Sequence, residues 1–187
     1  MSQNGIYMCA CIDLSNRSSG ISKKINSQIN ILKNNGYNIS TINISNTNKK
    51  FFDELKFILP FVISNYEKDI ISLNNSNINL DTIDFAYIRK ITFCKGFIEL
   101  LKILHSHNIK ILLEIPTYPF GGEYQGLKKI LNIPIFFYSI KLKKYVHRIV
   151  TYSNDKMIWG IRTINIANSV DFFSIKKKTF LGQRIFI

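Results

Sequence analysis

An α/β fold with a mainly parallel sheet is predicted by three features of the sequence. The first is a near-continuous apolar run close to the start, "GIYMCACIDL" (5–14), the pattern of a strand covered on both faces. The second is the helical spacing of Ile21, Ile25, Ile29 and Leu32 in the segment that follows, with Gly36 where a helix C-terminal cap belongs. The third is a second strand, "YNISTINI" (37–44), straight after that helix. Strand, amphipathic helix and strand within 45 residues make a βαβ unit.

The unit recurs in a looser form downstream. "IDFAYIR" (83–89) has the composition of a strand, "GFIELLKILHSHN" (96–108) the period of a helix, and "IKILLEI" (109–115) is again a strand. Residues 125–147 are expected to be a helix broken or kinked near Pro134, followed by a short strand "RIVTYS", a helical turn "DKMIWG" and a last strand "RTINIAN". Six candidate parallel strands are the count of a Rossmann-like, doubly wound sheet. Between the second and third strands, 48–80 is helical at first and then polar. Residues 172–187, "FFSIKKKTFLGQRIFI", fit the scheme badly and resemble a linker leading into a strand. The expected division is a Rossmann-like domain over 1–171 and a linker, or the start of another domain, over 172–187.

Composition bounds the function. The 187 residues are 46% hydrophobic and 20% charged, which belongs to a chain with a core and excludes a disordered one. Net charge is +13, from 25 Lys and Arg against 12 Asp and Glu. Acidic partners therefore have to be considered, beside the plainer reading of a lysine-rich solvated surface. Nucleic acid is disfavoured, because the lysines are scattered over several helices without an aromatic-interleaved stripe. The segment "LKKILNIPIFFYSIKLKKYVHRIV" (127–150) mixes lysines with large apolar residues, as interfacial membrane helices do and as any helix packed on a sheet must. Cys9, Cys11 and Cys94 form neither a CxxC pair nor a disulfide framework. His105 and His107 face opposite ways, and His147 is expected to cap a helix end. Neither a metal nor a cofactor is expected. The N-terminal residues lack the basic start and long apolar stretch of a signal peptide, and the expected location is cytoplasmic, with contact at the inner membrane face as an extension.

In an open parallel sheet, ligands bind beyond the C-terminal ends of the strands. After the first strand, Gly20 would permit close backbone approach beside a helix N-terminus that can face an anion. After the third, Arg89 could hold a phosphate or carboxylate with two hydrogen bonds, or form a surface ion pair. After the fourth comes "EIPTYPFGGEYQG" (114–126), whose two prolines and three glycines mark a loop dense in chemistry. Glu114 and Glu123 offer carboxylates to sugar hydroxyls, and Tyr118 and Tyr124 offer flat faces to sugar C–H groups. A stiff proline-rich surface loop accounts for the same residues without a ligand.

Four segments together carry a resemblance: "SSGISKKINSQINILKNNGYNI", "AYIRK" (86–90), "IKILLEIPTYPFGGEY" (109–124) and "YSNDKMIWGIRTINIANSVD" (152–171). The chain resembles the N-terminal domain of bacterial family-four, GT-B-type glycosyltransferases, particularly those of capsule, O-antigen or exopolysaccharide assembly. The resemblance implies retaining transfer of a sugar from a nucleotide-sugar donor to a glycan or lipid-linked acceptor, in a cleft between two Rossmann-like domains. It implies that this half holds the acceptor, near Gly20, Arg89, Glu114, Thr117, Tyr118 and Glu123. "NSVD" stands where the family has Asn-Gly-Ile/Val-Asp, with Ser169 in place of glycine. The family's donor site and paired glutamates belong to a second domain not found after Asp171, so the 187 residues alone are expected to have little or no transferase activity. The alternative is a stand-alone basic α/β module for an anionic ligand or nucleic acid.

Overall fold

The computed structural model describes residues 3–10, 14–16, 18–44, 76–89, 95–116, 118 and 138–166. Among these residues seven strands form one sheet: β1 (Asn4–Ala10), β2 (Asn38–Ile44), β3 (Phe85–Arg89), β4 (Lys110–Ile115), β5 (Val146–Thr151), β6 (Met157–Ile158) and β7 (Ile161–Asn165). Their order is β2-β1-β3-β4-β5-β7-β6. Six are parallel, and only β6 runs antiparallel, against β7. This is the doubly wound α/β architecture expected from the repeated βαβ pattern. The chain leaves β1 for β2 on one side and returns to β3 on the other, so the strand order reverses between β1 and β3.

Both faces of the sheet are buried, which explains why its strands are apolar without alternation. On one face Tyr7, Cys9, Phe85, Tyr87, Leu112 and Val150 pack with Ile25 and Ile29 of helix α1 (Gly20–Asn34). On the other, Ile6, Met8, Ile88, Ile111, Leu113 and Ile149 pack with Phe97, Leu100, Leu101 and Leu104 of helix α2 (Lys95–Ser106). Each such side chain contributes roughly 1.5–3 kcal/mol by leaving water.

Both helices stop in the same way. Gly36 takes a left-handed φ of 89°, with Tyr37 N–H donating to the Leu32 carbonyl and Gly36 N–H to that of Lys33. Asn108, at φ 58°, does the same for α2, with Ile109 N–H donating to the Leu104 carbonyl. These are Schellman caps, and they satisfy carbonyls that the helix end would otherwise orphan. The first residue beyond each cap then leads directly into β2 or β4.

Two expectations are corrected. "DKMIWG" is not a helical turn: Met157 and Ile158 form β6, and Trp159 (φ 49°) and Gly160 (φ 74°) make a two-residue hairpin turn into β7, with Ile158 opposite Ile161. Two positive φ values identify the primed turn, whose twist suits adjacent strands. His147 caps no helix; it lies in β5, at the place where the β4–β5 register slips between Ile111 and Leu112. Its Nδ1 accepts the Ile111 N–H at 3.1 Å, replacing a ladder bond that the bulge removes. Residues 138–142 are helical and 143–145 form a turn. The kink expected near Pro134, the segment 45–75 and the boundary at 171–172 lie outside the described residues. No helix among the described residues is long and apolar enough to cross a membrane.

Candidate functional site

Strand alternation places Tyr7 and Cys9, Tyr87 and Arg89, and Leu112 and Glu114 on the face covered by α1, with their later members toward the C-terminal ends of the strands. Register does the rest: Tyr7 lies opposite Tyr87, Cys9 opposite Arg89, and Arg89 opposite Glu114. A polar cluster forms there, beside the point where the strand order reverses.

Glu114 is its centre and is 0% exposed. Its Oε2 accepts Tyr87 Oη–H at 2.7 Å and Gln28 Nε2–H at 3.2 Å, and its Oε1 accepts Tyr152 Oη–H at 3.4 Å. Arg89 Nη1 lies 2.9 Å from Oε1, with the arginine side chain 10% exposed. That contact is Coulombic: Nη1 is not aimed at any acceptor with hydrogen-bond geometry among the described residues. A carboxylate has about four lone-pair positions, and all are faced by donors or positive charge here. Glu114 is therefore an organiser rather than a free base.

The surrounding groups are held in turn. Gln28 reaches the cluster from α1, and its Oε1 accepts Tyr7 Oη–H at 2.6 Å. The opposite amide orientation would set two oxygens against each other, at Glu114 Oε2. Tyr7 and Tyr87 stack with centroids 4.9 Å apart, a contact worth about 0.5–1.5 kcal/mol. Burial, then the charge of Glu114, pushes the Tyr7, Tyr87 and Tyr152 hydroxyls well above the usual phenol range, so all three remain donors. Burial pushes the Cys9 thiol up to about 11, which makes it inert at neutral pH. Lys24 Nζ sits 3.6 Å from the Tyr152 ring centroid; burial and then Arg89 lower its pKa. Lys24, Arg89 and Tyr152 are each only partly buried, and they form the outward side of the cluster.

The residues singled out from the sequence divide accordingly. Arg89 and Glu114 come together. Gly20 opens α1 behind the capping residue Ser19, whose Oγ accepts Ser22 N–H, and nothing lies within 4 Å of where a Gly20 side chain would begin. Tyr118 packs instead with the core cluster on the α2 side of the sheet, edge-on to Trp159 at 5.9 Å. Thr117 and Glu123 lie outside the described residues. Tyr7, Lys24, Gln28, Tyr87 and Tyr152 were not singled out. The one signal for them is a glutamine, Gln28, sitting between Ile25, Ile29 and Leu32 on the apolar stripe of α1.

A separate, open groove of about 430 Å³ runs along the β6–β7 hairpin, lined by Asn154, Asp155, Lys156, Met157, Arg162, Thr163 and Asn165. None of these belongs to the Glu114 cluster. Among the described residues, no group of three or more His, Cys, Asp or Glu stands close enough to hold a metal ion. The chain matches no protein-family model, no curated protein and no solved structure.

Proposed function

We propose that this α/β domain is the acceptor-side half of a two-domain glycosyltransferase, holding a glycan or lipid-linked sugar while a partner domain supplies the nucleotide-sugar donor. The observation that carries the reading is the Glu114 cluster at the C-terminal strand ends. A buried carboxylate there fixes Arg89 and Tyr152 at the rim, where an arginine can donate to hydroxyl or phosphate oxygens and a tyrosine ring can lie under a sugar face. The four segments that resemble the family support the same reading, since one of them contains Arg89 and another runs through Glu114. Glu114 acts as a positioning residue, while Arg89, Lys24 and Tyr152 face the ligand.

Ligand-detected NMR of the 187-residue chain, mixed with short glycans and separately with nucleotide sugars, tests this. Saturation transfer to glycan protons, weakened by Tyr152→Ala and absent for the nucleotide sugars, is the expected result. Binding of nucleotide sugars without glycans would assign the domain to the donor instead.

A second reading is favoured by Lys24 and Arg89 standing against a single carboxylate: a module for a small anionic ligand. It requires inorganic phosphate to bind in the same experiment and glycans to be silent.

A further inference from the structure

The parallel sheet has two poles, and the cations at the pole opposite the Glu114 cluster are organised. Lys110 begins β4 and Arg148 lies near the start of β5, and both side chains are exposed. Just before β5, Ser139 and Leu142 point into the core, while Ile140, Lys141, Lys143 and Lys144 are exposed. Ile140 is 66% exposed, the most of any large hydrophobic residue described. No described acid pairs with these lysines. Asp81 and Asp84 share this edge of the sheet, where Asp81 meets His107 at 2.7 Å and Asp84 accepts the Asn4 N–H at 2.7 Å, so the five basic side chains outnumber two acids.

We infer that this pole is a docking surface for an anionic lipid bilayer, with Ile140 entering the headgroup region and Lys110, Lys141, Lys143, Lys144 and Arg148 meeting lipid phosphates. Charge complementarity selects an anionic partner. The isoleucine selects lipid over nucleic acid, because an aliphatic side chain ringed by long cationic stems gains by entering a membrane interface and gains nothing along a phosphate backbone. Glu114 is four residues beyond Lys110 on β4, roughly 13 Å farther from the bilayer. The docked domain therefore presents its polar cluster away from the membrane. The inference does not rest on the acceptor reading; joined to it, this orientation favours a glycan over an acceptor anchored in the same bilayer.

Co-sedimentation of the full chain with phosphatidylglycerol–phosphatidylcholine vesicles, and with phosphatidylcholine alone, is the test. Each basic side chain near an anionic leaflet multiplies partition by roughly five. Lys144→Glu should therefore lower binding to the anionic vesicles at least about fivefold, and Ile140→Ser severalfold with an unchanged salt dependence. Lys23→Glu, an equal charge change on α1 at the other pole, should cost less than about twofold. Should Lys144→Glu disturb the near-UV circular dichroism, Lys141→Glu serves the same arm. The inference is overturned if neutral vesicles bind equally well or if Lys23→Glu costs as much as Lys144→Glu. It is also overturned if Ile140→Ser has no effect while single-stranded or duplex nucleic acid displaces the vesicles.

Discussion

Arg89 and Glu114 are register partners on adjacent parallel strands, and their side chains meet 2.9 Å apart in a place where the glutamate has no exposure to solvent. Breaking such a pair from one side strands a buried charge, whereas replacing both partners removes the problem. Glu114→Leu should destabilise the fold by about 3–5 kcal/mol. Adding Arg89→Met should recover part of that, giving non-additivity of about 2–3 kcal/mol in a denaturant double-mutant cycle. Strict additivity would mean the two charges are independent.

His147 makes stability depend on pH. Burial, together with His105, Lys110 and Arg148, lowers its pKa below the ordinary 6.5, and its Nδ1 must stay unprotonated to accept the Ile111 N–H. A group whose folded pKa is depressed binds fewer protons when native than when unfolded. Its stabilisation is complete above the unfolded value and drains as pH falls from about 6.5 toward the depressed folded value. Melting curves from pH 8 down to pH 4.5 should therefore fall more steeply for the natural chain than for His147→Phe. Parallel slopes would show that the bulge does not sense the imidazole.

Gly160 closes the β6–β7 hairpin at a φ of 74°, and a methyl group there would meet only the flexible stem of Lys143 at 3.4 Å. The cost of Gly160→Ala is thus conformational and not steric, about 1–2 kcal/mol. At about 2–4 °C per kcal/mol for a chain of this size, a Tm loss of several degrees is expected by calorimetry.

Gly20 makes the opposite case. It is helical and has open space around it, so Gly20→Ala should be neutral or stabilising by about 0.5–1 kcal/mol. If the alanine variant also loses glycan binding in the NMR experiment while its melting temperature holds, the glycine serves a ligand's close approach. If binding is retained, no such role exists for it.

How much of this was legible beforehand follows from which information is local. The apolar runs 5–14 and 109–115, the helix period from Ile21 to Leu32 and the Gly36 stop are local signals, and each has its counterpart in β1, β4, α1 and a Schellman cap. The hairpin was hidden because its turn carries Trp159 where asparagine or aspartate would announce a left-handed residue. The place of His147 is not declared by its local sequence, because a bulge is a property of two strands and not of one. Within the site, Arg89 and Glu114 could be found as strand-end residues. Their meeting could not, since Gln28 reaches Glu114 across 86 positions of sequence and Tyr152 across 124. Such contacts depend on strand order, and a single sequence leaves that order open.

The two-residue strand β6 has a consequence for how molecules of this protein meet one another in a crowded solution. A long bare margin of sheet is a template on which a second chain can lay a strand and begin a fibril. Here the margin beside β7 is closed by a strand too short to offer more than a rung or two, and it turns sharply at Trp159 and Gly160. Among the described residues, the chain's own fold-back occupies Ile161 and Arg162 of β7 and so shortens the margin open to a second chain on that side.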